Sequence, residues 1–249
     1  MATRTVDITV LFDDVSHNAD LQAAHGAAYL IEGSSRTVLF DTGGDGHILL
    51  ENMAKLGKDP KDVDVVVVSH AHWDHSGGLF AFIRQAKDGL DIFVPKGVSK
   101  DFRTHAELLG ANVHVVDDPV EIADVVQSTG EMGEYGMAKE KKEQGLIIDA
   151  QEGPVVITGC AHPGIFHMLE RVDEMFDDKI HLVLGGFHLR DATDNHLAGV
   201  IREIQGLGVR KIGPTHCTGE HQIEAFKDAW KSDFVDFRCG ATIQVHARD

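Results

Sequence analysis

The stretch His70-Ala71-His72-Trp73-Asp74-His75 decides the reading of this chain. It follows Val63-Asp64-Val65-Val66-Val67-Val68, a short apolar run of the kind a buried strand shows, and it precedes Gly77-Gly78 and a further apolar segment. Three imidazoles and one carboxylate at the mouth of a strand offer neutral nitrogens and an anionic oxygen to a borderline-soft cation such as zinc. In extended backbone, residues i and i+2 point the same way, so His70 and His72 can reach one ion. Asp74 and His75 come after the chain turns and diverge from each other, which suits a second ion nearby.

Six residues cannot fill two coordination shells. Further donors stand at three other strand ends: Gly159-Cys160-Ala161-His162-Pro163-Gly164, Gly185-Gly186-Phe187-His188-Leu189 and Thr215-His216-Cys217-Thr218-Gly219. Each places a His just past an apolar run, beside glycines that let backbone approach closely. Asp41, at the end of Thr37-Val38-Leu39-Phe40, is a candidate acceptor for an imidazole N–H behind the ligands. Cys160 and Cys217 are read as small buried residues rather than ligands. Arg190 is open to two readings, an anchor for an anionic group or a surface salt bridge. Trp73 is expected to pack beneath its loop, and the charge run Lys139-Glu140-Lys141-Lys142-Glu143 to be a solvated face. The histidines at 17, 47, 105, 114, 167, 181, 196, 221 and 246 are read as structural, and His25 is left open between that and a place behind the ligands or against substrate.

Outward from the motif, strands alternate with helices. Strands are expected near 6–12, 27–31, 37–40, 63–68, 91–95 and 112–116, with helices over 48–56, 79–87 and 101–109. Residues 130–145 read as a long glycine-rich loop, a candidate lid. A hairpin over 146–158 follows, then helices near 164–176, 194–207 and 220–230 around strands at 180–184 and 211–213, and two short terminal strands. This alternation predicts an α/β fold. No Pro- or Ser-rich linker divides the two halves, so residues 1–249 are expected to form a single domain of two packed halves.

Composition narrows the function classes. The chain has 249 residues, 43% apolar and 25% charged, and no run approaches the roughly 18–20 apolar residues of a membrane span. Its formal charge of −17 argues against nucleic acid, whose binding rests on neutralising phosphates, and leaves a small-molecule substrate, anionic if a few basic groups gather locally. Three cysteines make no disulfide framework and Met1-Ala2-Thr3-Arg4 opens no signal peptide, so a cytoplasmic location is expected. A homo-oligomer is compatible with these properties.

His70-Ala71-His72-Trp73-Asp74-His75 resembles the HxHxDH motif of the metallo-β-lactamase superfamily, and His162 and His216 fall in order where that family carries its third and fifth metal motifs. The resemblance implies a four-layer αββα sandwich of two mixed β-sheets flanked by helices. It implies two divalent ions, zinc in preference to manganese or iron, with His70, His72 and His162 on the first and Asp74, His75 and His216 on the second. Much of the family has a bridging Asp at the fourth motif; this chain offers His188 instead, which makes a mononuclear or altered second site an expectation as well. Together with His25-Gly26, these blocks are similar to a dihydropteroate-synthase-like branch, whose named activity joins a pterin to an aminobenzene ribotide. Three functions follow. The first is a metal-dependent hydrolase of a small ester, amide, lactone or phosphoester, with Asp74 as the catalytic proton acceptor. The second is a pterin-linked condensing synthase using the same site, and the third is a metal- or ligand-binding protein without turnover.

Overall fold

A computed structural model describes residues 4–133 and 138–248. The first sheet contains β1 (Thr5–Phe12), β2 (Ala28–Glu32), β3 (Val38–Phe40), β4 (Val65–Val67), β5 (Asp91–Pro95) and β6 (Asn112–Val116). The second contains β7 (Val120–Ala123), β8 (Val126–Ser128), β9 (Leu146–Ile148), β10 (Val155–Thr158), β11 (Leu182–Gly186) and β12 (Lys211–Thr215). The last strand, β13 (Thr242–His246), returns to the first sheet and pairs antiparallel with β1. The sheet orders are β13-β1-β2-β3-β4-β5-β6 and β12-β11-β10-β9-β8-β7. Both are mixed: β3 to β6 and β10 to β12 run parallel, and the remaining pairs antiparallel.

The period of two in these strands builds four layers. Val65 and Val67 of β4 face the second sheet, where they share a core with Leu146, Ile148, Val155, Ile157, Leu182 and Leu184. Val66 points the other way, onto Leu49 and Met53 of α1 (Gly46–Lys55), Phe82 of α3 (Leu79–Ile83) and Ala106 of α4 (Lys100–Leu108). Ile147, Val156 and Val183 likewise face outward, onto α5 (Ile165–Met175), α6 (Asp194–Gly206) and α7 (Glu220–Trp230). Strands covered on both faces read as unbroken apolar runs, which is why the central ones stand out in the sequence. Burying each such side chain contributes roughly 1.5–3 kcal/mol. The layers are the expected αββα arrangement.

Several boundaries differ from expectation. Strands β7 and β8 are too short and too polar to register as apolar runs. The helix expected over 79–87 ends at Ile83. One terminal strand forms where two were expected. Residues 134–137 of the candidate lid lie outside the described residues. The flanks of that segment are tied together, with Met132 and Glu143 exchanging backbone hydrogen bonds of 2.8 and 3.0 Å. Among the described residues, no helix is long and apolar enough to cross a membrane.

Candidate metal centre

Strand direction gathers the donors. Because β1 and β3 both run antiparallel to β2, they share the direction of β4, and their carboxyl ends lie on one edge of the sheet. Asp13 and Asp14 follow β1, Asp41 follows β3, and His70 and His72 follow β4. Cys160 and His162, His188, and His216 and Cys217 follow the parallel strands β10, β11 and β12. Four of these turns use one backbone device, a left-handed residue other than glycine: Asp41 (φ 61°), Ala161 (57°), His188 (52°) and His216 (49°). Such conformations cost of order 1–3 kcal/mol each and cluster at functional sites. Gly159 lets the turn after β10 press against the first sheet; a Cβ there would stand 2.2 Å from Ser69 Oγ.

Three imidazoles converge first. His162 Nε2 lies 3.2 Å from His70 Nε2 and 3.1 Å from His72 Nδ1. The network behind them sets the tautomer of His70. Asp41 is an acceptor, so Ser69 Oγ gives its proton to Asp41 Oδ2 at 2.7 Å and accepts from His70 Nδ1 at 2.9 Å. His70 Nε2 is thereby left with its lone pair facing the other two rings. Burial lowers the pKa of His70, helped by the neighbouring imidazoles, and lowers that of His162 to about 3, helped by His188 and His72. Three imidazole nitrogens at this separation can all turn lone pairs onto one cation lying among them.

The second cluster is Asp74, His75, Cys160 and His216, whose donor atoms all lie within 4.8 Å of one another. His75 donates from Nδ1 to Asp41 Oδ2 at 2.7 Å, and its Nε2 faces Cys160 Sγ at 3.2 Å and Asp74 Oδ2 at 3.7 Å. His216 donates from Nδ1 to Asp14 Oδ1 at 2.6 Å. Its buried Nε2, 3.3 Å from Asp74 Oδ2, has no hydrogen-bond partner among the described residues. Burial opposes the charge on His216, but Asp14 and Asp74 outweigh it and lift its pKa to about 10. Asp74 is the converse: burial resists its ionisation, yet His216 and His75 hold its carboxyl well below the usual range. An orphaned buried nitrogen, imidazoles locked by carboxylates behind them, and a carboxylate and thiol in reach form a donor set that fits a zinc-like ion.

The other expected residues surround these clusters. His25 bridges Asp14 Oδ2 at 3.0 Å and Asp74 Oδ2 at 3.3 Å, with 43% of its side chain exposed. Arg190 makes a salt bridge to Asp14 Oδ2 at 2.8 Å and reaches the carbonyl of His216 at 3.3 Å. The ring of His188 lies 4.3 Å from that of His162, but His188 falls in neither cluster. A cavity of about 630 Å³ opens over the centre, bordered by His72, Asp74, His162, His188, Arg190 and also His196, which the sequence reading left as structural. Trp73 does not pack beneath its loop: it is 63% exposed on the cavity rim, because α2 (Trp73–Ser76) turns Asp74 and His75 inward and so turns Trp73 out.

Sequence reasoning missed three carboxylates. Asp13 accepts from His216 N at 3.1 Å, and Asp14 serves His216, His25 and Arg190. Their only local signal is an acidic pair directly after a strand. Glu143 is the larger miss, since it is fully buried rather than part of a solvated face. Its carboxylate accepts the N–H groups of Gly159, Cys160, Ala161 and His162 at 2.8–3.1 Å. A run of Lys and Glu gives no sign that Glu143 turns inward.

Comparison with known proteins gives the family and the fold. A family model described as the Metallo-beta-lactamase superfamily matches residues 22–216. The chain is 29% identical to the 7,8-dihydropterin-6-methyl-4-(beta-D-ribofuranosyl)-aminobenzene-5'-phosphate synthase of Methanocaldococcus jannaschii, over 95% of each chain. It superposes on Tm1679, a metal-dependent hydrolase of the beta-lactamase superfamily, with a TM-score of 0.81 and 29% identity, covering 97% of this chain and 99% of that one. Human tRNase Z, short form, shares the fold at a TM-score of 0.60 and 15% identity, over 95% of this chain and 98% of that one. The chain belongs to the metallo-β-lactamase superfamily.

Proposed function

We propose that the chain is a metal-dependent hydrolase of a small ester, amide, lactone or phosphoester. The supporting observation is the convergence of two donor clusters, His70/His72/His162 and Asp74/His75/Cys160/His216, on the floor of one open cavity. Bound ions of the zinc type supply a Lewis acid and a water whose pKa falls to about 7. The residues do the rest. Asp41 and Asp14 fix the ligand tautomers of His75 and His216. Asp74, an anion at neutral pH, holds the attacking water and accepts its proton at Oδ2. His25 Nε2, 3.3 Å away and half open to solvent, carries that proton outward. Arg190 on the rim, held by Asp14, offers a positive group to an anionic substrate in a chain of charge −17.

Metal content tests this reading before any substrate is known. The purified, metal-loaded chain is expected to hold about two equivalents of zinc, manganese or iron in the imidazole–carboxylate centre, and His72→Ala about one fewer, by elemental analysis. Equal metal in both proteins overturns the assignment. Protons compete with the two clusters unequally. His162 is proton-free above about 3, whereas His216 holds a proton up to about 10. Acidification is therefore expected to release metal from the His216 cluster first, seen as a stepwise loss of metal on dialysis from pH 8 to about 5. Simultaneous loss of both equivalents contradicts it.

A second reading, a pterin-linked condensing synthase, is favoured by the full-length similarity to the archaeal synthase and by an exposed flat ring, Trp73, which borders the same cavity as Arg190. Incubation with dihydropterin pyrophosphate and an aminobenzene ribotide, beside a panel of simple esters and phosphoesters, separates the two. Coupled product without ester turnover replaces the hydrolase reading.

A further inference from the structure

The turns after β10, β11 and β12 bring together a third set of donors. Cys160, His188 and Cys217 place one sulfur, one ring nitrogen and a second sulfur within 4.8 Å of one another, and all three border the cavity. All three cysteines of the chain are free thiols. The set is built rather than incidental. Cys217 Sγ accepts from His188 N at 3.3 Å and its thiol reaches the Cys160 carbonyl at 3.6 Å. Gly186 makes room for it, since a Cβ there would lie 2.6 Å from that sulfur. His188 stands on a left-handed backbone at φ 52°, which turns it out of the strand.

We infer that Cys160, His188 and Cys217 form a distinct, thiolate-rich cation site beside the imidazole–carboxylate centre. Two thiolates and an imidazole select soft, thiophilic ions such as zinc, cadmium or Cu(I) over magnesium, calcium or manganese. Zn–S bonds of about 2.3 Å with tetrahedral angles put two sulfurs roughly 3.8 Å apart, within the observed spread. Three protein ligands leave a fourth position open toward the cavity, as in exchangeable rather than closed structural sites. Cys160 belongs to both neighbouring sets, 3.2 Å from His75 Nε2, and a thiolate has lone pairs enough to serve a cation on each side. This assignment does not depend on the reaction carried out next to it.

Cadmium alone is the probe. The full chain, kept reduced by a phosphine, is dialysed against excess cadmium, and metal per chain is read with the ultraviolet thiolate-to-cadmium band. Wild type is expected to hold about three equivalents. Cys217→Ser and His188→Ala are each expected to hold about one fewer, and Cys217→Ser to lose about two thirds of the band, because one of three thiolate–cadmium bonds then remains. Far-ultraviolet circular dichroism of the metal-free proteins checks folding, and the exposed His188 side chain gives a variant without a buried cavity. Retention of the full wild-type cadmium content by either folded variant overturns the site. His72→Ala read alongside separates this outcome from failure of the imidazole centre, because it removes metal there and leaves the thiolate band intact.

Discussion

Glu143→Ala is expected to destabilise the folded chain by about 3–5 kcal/mol and to strip the centre of metal. Four backbone N–H groups, those of residues 159 to 162, end on this one fully buried carboxylate. Each buried donor left without an acceptor costs about 1–3 kcal/mol, and breaking a buried charged network costs about 3–5 kcal/mol in all. The segment concerned carries Cys160 and His162, one donor for each cluster, so disorder there dissolves both. Glu143→Gln gives a graded control. Its one remaining oxygen can serve the three donors that Oε1 serves, but its NH2 then meets the His162 N–H, and a loss of about 1–3 kcal/mol is expected. Urea unfolding of the metal-free proteins measures both. An Ala variant within about 1 kcal/mol of wild type would show that the cradle is incidental.

The same carboxyl sets a pH dependence whose sign can be worked out. Burial raises the pKa of Glu143 from its ordinary 4.5 to about 7, with the N–H groups of His162, Ala161 and Cys160 and the charge of His75 opposing the rise. Between those values the folded chain binds a proton that the unfolded chain has released. The stability so contributed is complete below about 4.5 and is lost as the pH climbs through 7. Glu143→Gln lacks this slope, so the stability gap between wild type and Gln is expected to narrow with rising pH across that window.

What was legible in the chain is what lies close in sequence. The 70–75 motif declares itself because its donors are spaced by one backbone geometry, and His162, His188 and His216 because each ends an apolar strand. The groups behind those imidazoles are another matter. Asp14 meets His216 across 202 positions, a contact that exists only once the two sheets have packed, and Glu143 meets His162 across 19, between the segments that flank β9 and β10 of one sheet. Asp41 was legible because it shares the position of the ligands, a strand end on the same edge. Glu143 was not, because its neighbours at 139 and 141 are lysines and a charge run reads as solvated whichever member turns inward. The Trp73 misreading has the same origin. A large apolar ring is expected inside, but this four-residue helical turn buries Asp74, His75 and Ser76, and its first residue, Trp73, is left facing out.

Asp74→Asn is expected to lower kcat by about 10³ while changing KM little, on whichever substrate the chain turns over. General acid–base contributions of about 10²–10⁴ are usual, and the proposed role of Asp74 sits within that range. Its Oδ2 is the point where His25 Nε2, His216 Nε2 and, at 3.7 Å, His75 Nε2 meet. Asparagine keeps the shape, removes the charge that balances two imidazoles, and places an amide donor or a weakly basic oxygen where a proton must be received. Loss of an anionic donor also weakens the His216 cluster, so metal content is expected to fall by about one equivalent. Two measurements separate these effects. Activity restored by excess zinc would assign the loss to metal holding; a deficit that persists at full metal content would assign it to proton transfer. A His25→Ala variant then tests the outward route, because a relay through His25 predicts a smaller loss that small external imidazoles rescue. Asp74→Asn with full metal content and kcat within about twofold of wild type would remove the carboxylate from the chemistry, under either hydrolysis or condensation.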